Sequence, residues 1–397
     1  MKSDMRGDPR DEPAPSQSAG RDASPAVPGL YVHVPFCKTK CPYCDFYSIV
    51  SGVTPGEWLT ALSVEAERAR GAFAPFDTIY IGGGTPSLLS AAEVESLFAS
   101  VRGAFVVAPG AEVTLEANPD DVTPGKLAAW RELGVNRLSL GIQSFDDAEL
   151  AFLRRRHDAR AARAAIELAR EAGFGNVGID LIYGFEGQSL ASWGRTLATA
   201  LEAAPEHLSC YQLSIEPRTE FGRMRERGEF RAMDEESQRR FFIRTSETLR
   251  SAGYVHYEIS NYAREDALAS RHNSKYWRHA PYLGLGPSAH SFKGGRRWWN
   301  VRSVRGYCDA LADGGSAVEG EETLTAEQLD LEALYLGFRT RGGVPLEALR
   351  AFPNWRTALD SLVLESLVAV RGDRVVPTIE GFLVADRLPL AFVEWHE

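Results

Sequence analysis

The sequence predicts an α/β fold: a partial (β/α)6 TIM-like barrel followed by a small C-terminal winged-helix-like α+β domain. Three observations predict it. Strand-like and helix-like stretches alternate six times between residues 29 and 255. Each of the six strand patterns runs into a polar or Gly-rich stretch, as the carboxyl ends of barrel strands do where a site is built. The alternation stops after residue 255, and a helical run ending in a hairpin pattern closes the chain.

Residues 1–28 are rich in Asp, Arg, Pro, Ser and Ala without hydrophobic periodicity, which predicts a disordered tail. The barrel then occupies 29–255. Its strands are expected at Leu30–Val34, Thr78–Ile81, Val113–Glu116, Arg137–Leu140, Val177–Leu181 and Leu208–Leu213. Helical periodicity falls at 57–70, 92–102, 124–133, 146–171, 189–203 and 235–251. Residues 256–322 read as a loop-rich connection lying over the barrel. From 323 to 397 a smaller domain is expected, with helices at 325–338, 346–351, 355–365 and 379–387. Its hairpin turns at Arg371-Gly372-Asp373.

A formal charge of −10 and the lack of a basic stripe argue against nucleic-acid binding. The chain has five cysteines, an odd number, with three of them bunched at 37, 41 and 44, so no disulfide framework is predicted. No secretory signal pattern and no run of eighteen apolar residues are seen, and a reducing cytoplasmic location is expected, with peripheral membrane contact left open.

Cys37, Cys41 and Cys44 follow the first strand. Three thiols are too few for a closed four-ligand site, whereas a 4Fe-4S cluster held by three would keep one iron open for a ligand. The alternative is a structural zinc site, which favours paired Cys-x2-Cys knuckles and a nearby fourth ligand.

The Cys-x3-Cys-x2-Cys spacing with Tyr43 before the last Cys resembles the radical S-adenosylmethionine (SAM) superfamily. Tyr31 to Cys37, Gly82-Gly83-Gly84-Thr85-Pro86, Gly141 to Phe145 and Asp180 to Gly184 narrow the resemblance to the oxygen-independent coproporphyrinogen III oxidase group, from about residue 29 through a HemN-like C-terminal domain. Within that group the dehydrogenase branch has a further Cys two positions after the third, where this chain has Phe46. His272-Asn273-Ser274-Lys275-Tyr276-Trp277 matches the His-Asn-x-x-Tyr-Trp signature of the HemW-type haem-chaperone branch. One departure is Phe185-Glu186, where the family has Leu-Pro; the Glu is expected to add a charge at the mouth.

The resemblance implies that Cys37, Cys41 and Cys44 ligate three irons of a 4Fe-4S cluster whose fourth iron takes SAM. Tyr43, Gly83, Gly84 and Thr85 would lie against SAM, and Tyr31, Glu116, Gln143, Arg155 and Asp180 fall where relatives contact it. These residue types suit an ammonium, a carboxylate and ribose hydroxyls. Arg155 has a second reading, as part of a solvated helix face in Arg154-Arg155-Arg156. His33 is expected to share the strand face of Tyr31. His272 is the haem-ligand candidate, with His279 and His290 as rivals and a structural role as the alternative. Cys210 reads as a core residue and Cys308 as an incidental thiol.

Two functions follow. The first is a haem chaperone delivering haem to membrane haem proteins such as respiratory cytochromes, with a homodimer possible. The second is a coproporphyrinogen III dehydrogenase of porphyrin biosynthesis, decarboxylating propionates by a 5′-deoxyadenosyl radical. Phe46 and the His272 signature favour the first.

Overall fold

The computed structural model describes residues 26–393; the tail expected over 1–28 therefore lies, through residue 25, outside the described residues. Six parallel strands form the centre: β1 (Gly29–Val34), β2 (Phe76–Gly83), β3 (Val107–Ala117), β4 (Arg137–Gln143), β5 (Val177–Tyr183) and β6 (His207–Gln212), paired in that order. Leu30, Val32 and Val34 are fully buried against the outer helices, so the alternate residues Tyr31 and His33 face the lumen. The outer helices start where their caps demand. Thr54 and Glu57 form a capping box at Pro55–Arg68, and Ser90 and Glu93 form another at Ala91–Ala104.

The helical pattern over 146–171 is two helices, Asp147–Phe152 and Ala159–Glu171. The first ends as Arg154 turns to a positive φ of 50° while the Arg155 N–H donates to Leu150 O. Asp158 then caps the second through Ala161 N. An additional helix, Glu220–Glu226, follows β6.

The stretch 256–322 is not a loop-rich cover. It supplies six further strands to the same sheet: β7 (Val255–Glu258), β8 (Asn261–Ala263), β9 (Tyr282–Leu285), β10 (His290–Lys293), β11 (Arg296–Asn300) and β12 (Val318–Thr323). The twelve-stranded order is β12-β11-β10-β9-β1-β2-β3-β4-β5-β6-β8-β7, with β9 parallel to β1 and β8 antiparallel to β6. Two open barrel edges leave unpaired N–H and C=O rows, and these short strands satisfy them.

Helix Arg271–Trp277, which carries the His272 motif, closes the amino-terminal end of the barrel, opposite the cysteines. Glu112 at the lumen's lower end accepts from the N–H groups of Arg271 (3.1 Å) and His272 (3.0 Å) at the helix start. Lys275 pairs with Asp77 at 2.6 Å and donates to Val27 O at 2.7 Å. Gly29 makes room: a Cβ there would stand 2.8 Å from both Lys275 and Thr78 side chains.

The small domain has its own core, with Leu334, Phe338, Val375, Leu388 and Phe392 nearly inaccessible. Its sheet is antiparallel, built of β13 (Val344–Pro345), β14 (Val368–Arg371) and β15 (Arg374–Pro377) in the order β13-β15-β14. Among the described residues no helix is long and apolar enough to cross a membrane.

Candidate functional site

The loop after β1 and the strands β2 to β6 deliver residues to one cavity of about 550 Å³ at the carboxyl ends of the parallel strands. Cys37, Cys41 and Cys44 line it, and none is in a disulfide. The Cys37 N–H is held by Ile49 O at 2.9 Å, and the Cys44 N–H by Cys41 O at 3.1 Å, so the loop is shaped by its backbone. Cys37 Sγ lies 3.4 Å from Thr85 Oγ1, and Arg155 Nη1 donates to Cys41 Sγ at 3.3 Å. Burial raises the Cys44 thiol to about 11, a cost to its thiolate that a bound cation offsets.

The Gly-rich turn after β2 passes close beneath this loop. Gly83 has φ 109°, and a Cβ there would meet the His33 ring at 2.6 Å. A Cβ on Gly84 would lie 2.6 Å from Phe36 O. Glu116 accepts from Gly83 N at 3.1 Å and from Tyr80 OH at 2.7 Å. Burial lifts its carboxyl to about 7, against the lowering effect of the Tyr80 bond. Asp180 accepts from Ser139 Oγ at 3.1 Å and is likewise raised, chiefly by burial, with bonds from Ser209 and Ser139 opposing.

Arg155 is inside, not on a solvated face. Besides Cys41 it donates from Nη2 to Gly141 O at 2.9 Å and to Asn118 Oδ1. Tyr43 OH lies 3.5 Å from its Nη1. Gln143 sits at φ 67° with Oε1 buried and unpartnered among the described residues. An orphaned acceptor, a cationic guanidinium, two carboxyls and a side-chain-free backbone turn around three thiols fit a cluster with an amino-acid ligand on its open iron. No three His, Cys, Asp or Glu among the described residues converge as around one ion.

Of the residues singled out from the sequence, the thiol cavity gathers Cys37, Cys41, Tyr43, Cys44, Gly83, Gly84, Thr85, Glu116, Gln143, Arg155 and Asp180. It does not gather Tyr31 or His272. Tyr31 lines a second cavity of about 690 Å³, formed with the inner face of β9 to β11, and its hydroxyl pairs with His33 Nδ1 at 3.0 Å. Asp45 and Phe46 line both cavities, and Phe46 is 69% exposed. His272 is 1% exposed, with Nδ1 at 2.9 Å from Thr78 Oγ1 and Nε2 at 2.9 Å from Tyr276 OH. Burial, then the charges of Lys275 and Arg137, lower it to about 3. In this conformation neither ring nitrogen is free to ligate a metal. Glu186, expected to add charge at the mouth, lines neither cavity; it is exposed and accepts from Arg231 N at 3.1 Å, while Phe185 stacks on Phe152 at 5.0 Å. Cys210 and Cys308 are both buried in the main core.

Tyr80 was not singled out from the sequence, although its position two residues before Gly82 puts both on the lumen face of β2. The buried Arg137 was missed as well; as the first residue of β4 it looks like a strand boundary in the sequence.

Residues 31–200 match the model of the radical SAM superfamily. The chain is 40% identical to the protein named "Heme chaperone HemW" of Mycobacterium tuberculosis, over 94% of this chain and 97% of that one. It is 36% identical to the Escherichia coli protein of the same name, over 80% and 83%. The Bos taurus "Radical S-adenosyl methionine domain-containing protein 1, mitochondrial" is 37% identical over 84% and 74%. Among solved structures, coproporphyrinogen III oxidase (HemN) from Escherichia coli, a radical SAM enzyme, has a TM-score of 0.80 at 24% identity, covering 93% of this chain and 90% of that one; this likeness is one of fold.

Proposed function

Starting from a chain that belongs to the HemW family of the radical SAM superfamily, we propose that it is a cytoplasmic haem chaperone. It binds a 4Fe-4S cluster, SAM and haem, and passes haem to membrane haem proteins such as respiratory cytochromes through peripheral contact, with a homodimer as the working form. Cys37, Cys41 and Cys44 hold the cluster. Arg155 and Gln143 meet the polar groups of SAM, the Gly83-Gly84-Thr85 backbone lies along it, and Glu116 and Asp180 take its ammonium or hydroxyls. Held there, a reduced cluster would supply the electron for reductive cleavage of SAM.

The observation that carries the chaperone reading is the meeting of two cavities at Phe46. One is lined by the three thiols, and the other is aromatic and large enough for a macrocycle. An apolar, exposed side chain stands where the dehydrogenase branch has a further thiol. The alternative, a coproporphyrinogen III dehydrogenase, draws on Glu116, Gln143, Arg155 and Asp180 lining the thiol cavity.

One experiment separates them. The anaerobically reconstituted protein is given dithionite, SAM and coproporphyrinogen III, and haem is titrated in parallel. Saturable haem binding without decarboxylated product is expected. Decarboxylated product without haem binding would reverse the order.

A further inference from the structure

The second cavity is built on one face of the sheet. Tyr282 is in register with Gly29, which places Tyr31 and His33 on the same face as Tyr282. Tyr282 is in register with Phe292, and His290, two residues before Phe292, is in register with Trp299. His290 and Trp299 therefore stand side by side on the same inner face, their ring centroids 6.1 Å apart. Trp299 can lie down on the edge strand because residue 320 is Gly: a Cβ there would sit 2.5 Å from the indole. The result is a cavity of about 690 Å³ with aromatic walls, open to solvent and bordered by Arg302 and Arg218.

The histidines are then distinguishable by what their nitrogens do. Seven lie among the described residues, since His396 is outside them. His33, His256 and His272 have both nitrogens in hydrogen bonds. His157, His207 and His279 each have one engaged, and none of these three lines the cavity. His290 alone among the described residues has neither nitrogen bonded, and it lines the cavity, exposed. Burial, with the Arg297 charge, lowers its proton affinity, which keeps the imidazole in its neutral, ligating form.

We propose that haem seats in this cavity with His290 as its axial iron ligand, Trp299 and Tyr282 against the macrocycle, and Arg302 pairing with a propionate. Arg302 suits that role: its guanidinium stands 5.8 Å from the Tyr47 ring centroid, and it has no carboxylate partner among the described residues. A macrocycle so placed has an edge at Phe46, which also lines the thiol cavity, and this puts cargo and cluster in neighbouring chambers. The assignment rests on the haem-chaperone reading and names its ligand.

The test is haem titration of the full chain, followed by visible absorption and electron paramagnetic resonance, with wild type, His290→Ala, His272→Ala and Arg302→Ala in parallel. His290→Ala is expected to shift the Soret band, lose the histidine-ligated signal and weaken affinity at least about tenfold; added imidazole should restore the spectrum. Its fold is checked by unchanged cluster absorbance, since position 290 is exposed. Arg302→Ala should weaken affinity a fewfold without changing the spectrum. His272→Ala should keep the wild-type ligand signal. If His290→Ala binds haem with the wild-type spectrum and affinity, or if His272→Ala alone abolishes ligation, the assignment is overturned. Absence of saturable haem binding by the wild type would instead remove the chaperone reading beneath it.

Discussion

Arg155 Nη1 donates to Cys41 Sγ across 3.3 Å, joining a residue of the β4–β5 connection to the cysteine loop after β1. The contact depends on the helix break at 153–154, which turns the chain so that this Arg is buried against the thiol loop while Arg154, next to it, stands at the cavity's exposed rim and pairs with Glu220 at 2.8 Å.

Removing the guanidinium therefore leaves Asn118 Oδ1, Gly141 O and the thiol without their common donor. Arg155→Ala is expected to retain the cluster but bind SAM at least about tenfold more weakly, on the scale of one charged hydrogen bond. Calorimetric titration with SAM on the reconstituted protein reads this directly. Unchanged affinity would place Arg155 outside the SAM contacts.

Each of Cys37→Ala, Cys41→Ala and Cys44→Ala should abolish the visible cluster absorbance after anaerobic reconstitution. Cys210→Ala and Cys308→Ala should leave it intact, because both thiols are buried in the core away from the loop. A full-strength spectrum from any of the first three would remove that thiol from the ligand set.

The Gly-rich turn admits no Cβ. In Gly84→Ala the new carbon would stand 2.6 Å from Phe36 O and 2.9 Å from Val34 O, both backbone atoms. The turn must move, at about 1–3 kcal/mol of stability, and with it the Gly84 N–H bond to Val34 O at 2.8 Å. A lower unfolding midpoint together with weakened SAM binding is expected. Wild-type behaviour in both measurements would show that the turn has slack.

The sequence made the central barrel legible because Leu, Ile and Val recur at every second position of its strands, the period of a strand with one apolar face against the helices. Their carboxyl ends also carry Gly, Asn and Asp, whose chemistry marks turns and sites. The outer strands were hidden for the opposite reason. β10 to β12 are short and mix Arg, Glu and Trp, as edge strands do, so neither period nor composition separates them from loop. The break at 153–154 was hidden because Leu-Arg-Arg-Arg-His satisfies helical propensity, and only packing puts Arg155 inside. The motif at His272 was visible, but its place at the barrel's amino end depends on Glu112 and Gly29, which carry no signal in the linear sequence. His290 was visible in the sequence as one of two rivals to His272; its unbonded state is a property of the fold.

Glu65 gives a pH dependence whose sign can be worked out. It projects from helix Pro55–Arg68 into the core, where it accepts from Tyr307 OH at 2.6 Å, from Gly286 N at 2.8 Å and from Asn300 Nδ2. Burial raises its carboxyl to about 7, against the lowering effect of these three bonds. A folded-state value above the unfolded one means that the native protein holds the proton more tightly. Its contribution to stability is therefore full below about pH 4.5 and is lost as pH rises through about 7. The stability so lost is on the order of a few kcal/mol. The unfolding midpoint of the wild type should fall between pH 5 and pH 8, and Glu65→Gln, which cannot ionise, should flatten that decline while lowering the midpoint at pH 5. Parallel pH profiles for wild type and Glu65→Gln would show that Glu65 is ionised in the fold throughout, and that its three donors outweigh its burial.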